Sequence, residues 1–352
     1  MMRLSLFVAA FLLAATPPGT RGEDPYFFGP GARGFLVRDY NEKLATLLKE
    51  RAHSPKKLDQ FGKATIENTR LVQAGLGDKA SPPGRAGRAE FEAVGLAWPD
   101  GFTRCVNLVD CWEGTFAKLE GSAESEDNFP NVTFGIVGFT SHDGSLQEFL
   151  QQANAASAGA VFTLARERLA APDAAKFIEL VASYRPDRLE KNHGEFVKFV
   201  IRNPEAPPKM QQPRPEIAKL FAAFETIAQF REIQLAVSRK KSWDDEVPDY
   251  REKIFGSPRS RSLQADLFCF DMTVLTDGLD KKAWRKLAKM PWKDERERMY
   301  QVFAAIQESP EFKGDEDKRA DVLERERCII DGRGEVHEDE YDLRAFALLP
   351  AD

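Results

Sequence analysis

The chain has 352 residues, with 50 Lys and Arg against 56 Asp and Glu, so its formal net charge is −6 at pH 7. An acidic surface repels nucleic acids and anionic membranes, which excludes them as expected partners, and it suits a cationic polymer. Beyond residue 22 the sequence has no apolar run long enough for a membrane helix. The length is sufficient for one large domain or for two lobes with a full-sized core.

Residues 1–22 have the pattern of a secretory signal peptide. Arg3 precedes an apolar core at residues 4–15, and Thr-Pro-Pro follows at residues 16–18. Such a core is too short to cross a bilayer. We therefore expect cleavage and a secreted, extracellular protein, whose loss of Arg3 and Arg21 would take the net charge from −6 to −8.

Residues 23–99 are expected to form an N-terminal helical extension. Helical patterns cover residues 39–51 and 55–73. Residues 77–88, which read GDKASPPGRAGR, are rich in Gly and Pro and predict an exposed linker.

A helix with a half-buried acid is predicted from about residue 104. Four apolar residues recur at spacings of three and four, as on one buried helical face: Val109, Trp112, Phe116 and Leu119. Glu113 lies at the edge of this face, and Asp110 lies one turn earlier. Burial and a nearby like charge both favour the protonated form of a carboxyl, which a general acid requires.

An acidic segment follows that helix and contains Glu120, Glu124, Glu126 and Asp127. Between residues 104 and 131 six acids stand against Arg104 and Lys118 alone. Two carboxylates, one on a helix and one on the loop after it, are the catalytic groups that a glycosidase requires. Acids at helical spacing are, however, more often solvent-exposed surface residues. Residues 132–139 then predict a strand, and residues 143–145 open another helix.

The rest of the chain predicts a mainly α protein. Helical patterns occur at residues 174–184, 190–202, 217–243, 262–276, 281–289, 295–307 and 315–330. The five prolines of residues 203–216 indicate a loop or hinge between lobes. The only other strand signal is weak, at residues 328–330, and the DGRG of residues 331–334 indicates a tight turn.

The cysteines are Cys105, Cys111, Cys269 and Cys328, an even number that permits two disulfides in an exported protein. Cys105 and Cys111 are six residues apart on one predicted helix and face different directions, so we do not expect them to pair with each other. Four buried free thiols are the alternative. The histidines are isolated in sequence, and no metal-ligand spacing occurs, so we expect no metal.

Three stretches resemble the catalytic region of the glycoside hydrolase family 46 chitosanases, which are inverting enzymes of the lysozyme-like superfamily: LVDCWE at residues 108–113, TFGIVGFTS at residues 133–141 and DGSL at residues 143–146. Residues 224–243 resemble the family's long central helix. LFCFD at residues 267–271, with Val274 and Gly278, resembles its (F/Y)xYDxxVxHG helix. The matches run in the family's order over residues 100–352.

This resemblance implies a lysozyme-like, two-lobed α+β fold that is mainly α, with a small β-sheet beside the catalytic cleft. Residues 100–352 would be the catalytic domain. The implied activity is that of a secreted, endo-acting glycoside hydrolase that cleaves β-1,4 bonds of chitosan without a cofactor. We expect a monomer whose partner is this cationic polysaccharide, with no nucleic-acid or membrane partner after signal cleavage.

The resemblance also implies roles for particular residues. Glu113 would protonate the leaving oxygen, and Asp127 would deprotonate a water that the hydroxyl of Thr133 orients. Three acids, Glu120, Glu124 and Glu126, would bind the ammonium groups of glucosamine. Asp271 matches an Asp in a buried charge network behind the catalytic acid, and its possible partners are Arg319, Arg325 and Arg327, of which we expect Arg325.

The sequence departs from the family pattern at two places. Gly114 stands where the family has Asn, and no DGRG accompanies the predicted base. Counting back from Thr133 without a gap reaches Asn128, and a one-residue insertion is needed to bring Asp127 into place. Two other functions therefore stay open: a lysozyme-like muramidase, which the acidic loop disfavours because peptidoglycan carries free carboxylates, and a non-catalytic polysaccharide-binding protein that has lost the base.

Overall fold

The computed structural model describes residues 26–113, 116, 119–123, 130–136, 138–142, 144–203, 212–227, 229–259, 261–275, 279–309 and 316–350. The protein is mainly helical with small antiparallel sheets, as its sequence predicts. The expected signal peptide, residues 1–22, lies outside the described residues. In the described part of the chain no helix is both long and apolar enough to span a membrane.

Fifteen α-helices occur in the described residues: α1 (Phe35–Leu48), α2 (Lys63–Leu76), α3 (Arg88–Ala93), α4 (Gly101–Glu113), α5 (Ser145–Ala156), α6 (Ala160–Arg168), α7 (Ala171–Ala182), α8 (Leu189–Val200), α9 (Pro215–Ala223), α10 (Phe230–Ser238), α11 (Val247–Phe255), α12 (Leu263–Leu275), α13 (Lys281–Leu287), α14 (Glu295–Gln307) and α15 (Glu316–Asp331). Short 3₁₀ segments cover Lys49–Arg51, Gly77–Lys79, Pro186–Arg188 and Phe224–Thr226, and Arg239–Glu246 is a π-helix.

The strands form one sheet of order β1-β2-β3 and one two-stranded sheet. Their bounds are β1 (Leu119–Ala123), β2 (Pro130–Phe134), β3 (Phe139–Thr140), β4 (Arg333–Val336) and β5 (Asp339–Asp342). β2 and β3 pair in antiparallel register with Thr133 opposite Thr140 and Phe134 opposite Phe139. The predicted single strand at residues 132–139 is thus a hairpin, and Gly135 and Gly138, both at positive φ, lie at its turn.

The chain forms two compact units. One contains Gly121–Val132 and Ser141–Ile233. The other contains Tyr26–Glu120, Thr133–Thr140 and Gln234–Asp352. The residues that the sequence set apart as an extension therefore lie in the same unit as α4 and the C-terminal helices.

The unit that contains α4 has an apolar core around α12. The sequence of α12, LQADLFCFDMTVL, is apolar on most faces, and Leu267, Phe268 and Phe270 are fully buried, as expected for a central helix. Asn107 of α4 locks α1 to this core: its amide donates to the carbonyl of Arg33 at 2.9 Å, and its Oδ1 accepts the N–H of Leu36 at 2.9 Å.

All four cysteines are free thiols. Cys105, Cys269 and Cys328 are buried in the core, and burial raises the pKa of each of their thiols, that of Cys328 to about 12. The free thiols that the sequence left open as the alternative are therefore found, although Cys111 is partly exposed rather than buried. These side chains act as small apolar residues.

The other unit is built around a cluster of aromatic side chains. Phe177, Phe221 and Phe224 have ring centroids within 6.4 Å of one another, and Phe230 lies 5.5 Å from Phe224. These residues belong to α7, α9, the 3₁₀ turn after α9 and the start of α10, and all four rings are buried. Because each aromatic side chain buries a large apolar area, such a cluster dominates the packing energy of a core.

The predicted long helix at residues 217–243 is interrupted. α9 ends at Ala223, a 3₁₀ turn follows, and Gln229 has a positive φ of 66° before α10 begins. A left-handed residue cannot continue an α-helix. The prediction of a strand at residues 328–330 is also wrong, because these residues belong to α15. The DGRG segment turns at Gly332, which follows the last residue of α15 and has a left-handed φ of 73°.

Residues 77–88 include exposed positions, as expected of a linker, but a buried carboxylate holds several residues of the segment in place. Glu90 of α3 is fully buried and accepts from Ser81 N at 2.7 Å, Ser81 Oγ at 2.6 Å and Gly87 N at 2.9 Å. Gln73 of α2 donates to the carbonyls of Ser81 and Arg85. The segment is therefore held at several points by two side chains.

We predict that Glu90→Ala frees this segment. The substitution leaves the donors of Ser81 and Gly87 without their acceptor, so the free energy of unfolding in urea should fall by about 2–4 kcal/mol. Limited proteolysis should cut residues 77–88 in the variant and spare them in the wild type. Glu92→Ala, at an exposed position of the same helix, is the control and should change stability by less than about 0.5 kcal/mol. Equal effects of the two substitutions would contradict this account.

Candidate functional site

The predicted acid, Glu113, is the last residue of α4. The helix ends there, earlier than the apolar pattern predicts, so Phe116 and Leu119 lie beyond it and Leu119 begins β1. The side chain of Glu113 is 26% exposed. A negative charge at the C-terminal end of a helix is unfavourable, so a carboxylate there needs a compensating cation.

Arg325 of α15 supplies that cation. Its Nη1 donates to Glu113 Oε1 in a short contact, and its Nη2 donates to Asp271 Oδ1 at 2.5 Å. The side chains of Arg325 and Asp271 are 1% and 0% exposed. One guanidinium therefore joins the last residue of α4 and a residue within α12 to α15.

Two further groups hold the guanidinium in place. Its carbon lies 5.0 Å from the ring centroid of Trp112, a cation–π contact with the residue that precedes Glu113. Asp321, one turn earlier on α15, has Oδ2 3.8 Å from Arg325 Nη1. Burial lowers the pKa of Arg325, but the carboxylates of Asp271, Glu113 and Asp321 outweigh burial and hold that pKa above its ordinary value.

The buried carboxyls behind this arginine are unusually easy to protonate. Burial raises the pKa of Asp271 to about 6; Arg325 opposes this effect, and the charges of Glu113 and Asp321 add to it. Burial, with a smaller effect from the charge of Asp271, raises the pKa of Glu326 well above its ordinary value. Neither carboxyl oxygen of Glu326 hydrogen-bonds to a described residue, as suits a neutral acid rather than a carboxylate.

The other predicted site residues are placed as follows. Thr133 is a partly buried residue of β2, opposite Thr140. Glu120 is exposed in β1. The predicted base, Asp127, and the predicted binding acids Glu124 and Glu126 lie outside the described residues, as does Asn128.

Of the three candidate arginines, Arg325 alone is buried against Asp271. Arg319 donates to the carbonyl of Gln307 at 2.7 Å, and Arg327 is 71% exposed near Asp331. Asp321 and Glu326 are not predicted from the sequence, although the spacing of four between Asp321 and Arg325 on one helix is a usable signal. Among the described residues no group of three or more His, Cys, Asp or Glu side chains is arranged to hold a metal ion.

A separate cavity of about 350 Å³ lies at the other end of α4, lined by Asp100, Arg239, Trp243, Asp266 and neighbouring residues. Its acids are engaged in ion pairs: Arg239 contacts Asp100, and Arg251 Nε donates to Asp266 Oδ1 at 2.7 Å. A helix of 13 residues is about 20 Å long, so this cavity is remote from Glu113. The cavity lining contains none of the residues that the sequence predicts for the site, so we do not assign the reaction to this cavity.

Comparison of the chain with protein-family models, with curated proteins and with solved structures found no match. The arrangement of Glu113, Arg325 and Asp271 therefore has to be interpreted from its own chemistry. That chemistry is a partly exposed carboxyl paired with a buried guanidinium, which is paired in turn with a second, fully buried carboxyl.

We predict that Arg325→Met destabilises the protein by about 3–5 kcal/mol, because it leaves Asp271 buried without its cation. Adding Asp271→Leu removes the buried charge and should restore at least about half of the loss. Urea unfolding at pH 7 measures both effects, with Arg327→Met as the exposed control. If Arg325→Met and Arg327→Met are equally mild, the buried ion pair is not a determinant of stability.

A second prediction concerns pH. Because the pKa of Asp271 is raised from 3.8 to about 6 in the folded protein, the native state holds this proton more tightly than the unfolded state. The contribution of this proton to the free energy of unfolding is fully present below about pH 3.8 and is lost as the pH rises through about 6. Relative to Asp271→Asn, which does not titrate, the wild type should lose unfolding free energy between about pH 4 and 6.5 and then level off. A difference that is constant over this range would contradict the assignment.

Proposed function

We propose that the chain is a secreted, endo-acting glycoside hydrolase that cleaves β-1,4 bonds of chitosan by inversion, with Glu113 as the general acid and Asp127 as the general base. The proposal includes a lysozyme-like, two-lobed fold for this mainly helical protein. It draws on the resemblance of residues 108–146 and 267–271 to the family 46 chitosanases.

The observation that carries the proposal is the setting of Glu113. A general acid must reach the substrate and must also be held in one orientation. Glu113 is 26% exposed, which leaves it accessible, and its carboxyl is fixed from behind by Arg325. Surface acids on helices seldom have a fully buried arginine as their partner, so a solvated structural role does not explain this arrangement.

The charge of the surrounding segment supports a cationic substrate. Six acids against two bases lie between residues 104 and 131. Glucosamine units of chitosan carry ammonium groups, which make charge-assisted hydrogen bonds to carboxylates. Glu120, Glu124 and Glu126 are the acids proposed for these contacts.

In the proposed reaction Glu113 gives its proton to the glycosidic oxygen as the bond to the anomeric carbon breaks. Asp127 takes a proton from a water, which attacks that carbon from the opposite face. Thr133 orients the water through its hydroxyl. Arg325 keeps the Glu113 carboxyl in position before and after proton transfer, and no cofactor takes part in any step.

Reducing-end release from chitosan tests the proposal. Glu113→Gln should lower kcat roughly 10²–10⁴-fold with little change in KM, because the amide keeps the shape of the acid and cannot donate the proton. Asp127→Asn should also abolish turnover, and Glu92→Gln, at an exposed position of α3, should not. The product released first should have the inverted anomeric configuration by NMR.

Parallel assays on chitin and peptidoglycan separate the alternatives. Cleavage of peptidoglycan alone would indicate a muramidase. Binding to chitosan without cleavage would indicate a non-catalytic polysaccharide-binding protein. Full activity of Glu113→Gln on chitosan would reject the mechanism.

A further inference from the structure

The hairpin after α15 contains a strained turn. β4 and β5 pair with Val336 opposite Asp339, so His337 and Glu338 are the two turn residues. Their φ angles are 51° and 66°. Two-residue turns with positive φ at both positions strongly prefer Asn-Gly, because other side chains are strained there. A His-Glu turn therefore needs a compensating interaction.

That interaction is with α15. The imidazole Nε2 of His337 lies 2.6 Å from Asp321 Oδ1, and the backbone N–H of His337 donates to Glu324 Oε2 at 3.2 Å. Asp321 and Glu324 are three residues apart and share one face of the helix. The strained turn thus places the imidazole within hydrogen-bonding distance of Asp321.

Asp321 in turn reaches the candidate acid through the buried arginine. Its Oδ1 contacts His337, and its Oδ2 lies 3.8 Å from Arg325 Nη1, the same nitrogen that donates to Glu113. The side chains of His337 and Asp321 are 48% and 28% exposed, whereas that of Arg325 is 1% exposed. One carboxylate therefore connects an exposed imidazole with the guanidinium that holds Glu113.

The charged groups around this chain of contacts come from four elements. Arg325 faces Glu113 of α4, Asp271 of α12, and Asp321 and Glu326 of α15, while Glu324 and Glu338 flank His337. When the imidazole is protonated, its charge offsets that of Asp321, and Arg325 interacts chiefly with Glu113 and Asp271. When the imidazole is neutral, Asp321 competes with Glu113 for Arg325. Imidazoles are the side chains that change charge near neutral pH.

We propose that Asp321 and His337 are positioning residues for Glu113. They act through Arg325, and they make the interaction between Arg325 and Glu113 depend on the protonation of His337. The catalytic consequence rests on the proposed function of Glu113. The electrostatic link itself is independent of any activity and is tested separately.

NMR titration of the imidazoles tests the link. Asp321→Asn should change the titration of the His337 imidazole, because the anion that lies 2.6 Å from its Nε2 is gone. Glu113→Gln should have a smaller effect on the same signal, and this second effect should vanish in the Asp321→Asn background. His53, 3.5 Å from Glu67 and 54% exposed, is the internal control and should not respond. An unchanged His337 signal in Asp321→Asn, or no effect of Glu113→Gln on it, overturns the proposal.

Replacing the turn by Asn-Gly separates positioning from structure. The variant His337→Asn with Glu338→Gly should unfold at the same temperature as the wild type or higher, because the strain is relieved. In a chitosan assay it should lose the inflection that His337 contributes to the pH profile of kcat, with KM changed less than about twofold. A merely structural turn would leave that profile unchanged, which would also overturn the proposal. If the wild type does not cleave chitosan, the proposed function fails and the NMR titration alone decides the link.

Discussion

The arrangement of the unit that contains α4 depends on how one buried arginine is neutralised. Taking a guanidinium out of water costs several kcal/mol, which only well-placed counter-charges offset. Arg325 of α15 meets Asp271 of α12 and Glu113 of α4, so three helices that are far apart in sequence have to meet at one point. A buried pair of this kind specifies geometry more than it adds stability. Its value to the protein is that the Glu113 carboxyl occupies a fixed place.

The same neutralisation explains the protonation behaviour of the region. Arg325 carries one positive charge and cannot neutralise the four carboxyls near it equally. Asp271 is held close to it, Glu113 and Asp321 are partly exposed to water, and Glu326 is buried and best accounted for as a neutral acid. A site in which neighbouring carboxyls differ this much in environment is suited to proton transfer. The proposed hydrolase activity and the proposed positioning role of Asp321 and His337 both follow from this sharing of one cation.

The sequence predicts the helical elements well where apolar periodicity is strong and local signals mark both ends. α14 matches its predicted bounds, residues 295–307, because Asp294 caps its first turn, with a side chain that accepts the N–H of Glu297. Residues 217–243 keep a helical pattern throughout, so the left-handed Gln229 that divides them is invisible to periodicity. The loop at residues 77–88 is similar: Gly and Pro predict a turn, but only the buried Glu90 determines that the turn is packed.

The site was predictable only in part. The edge position of Glu113 follows from the spacing of Val109 and Trp112, and the family resemblance singles out Asp271. Which arginine of α15 pairs with it does not follow from the sequence, because the helix is charged on most faces and its buried side is set by packing against α12 and α14. The contact of His337 with Asp321 depends on a hairpin turn that its sequence does not favour.

The central claim is that Arg325 and Glu113 interact directly, and a double-mutant cycle measures that interaction. The unfolding free energies of the wild type, Glu113→Gln, Arg325→Met and the double variant at pH 7 give their coupling free energy. This account predicts a favourable coupling of about 1–2 kcal/mol, between the value for an exposed ion pair and that for a fully buried one. Additive effects of the two substitutions, with a coupling near zero, would contradict it.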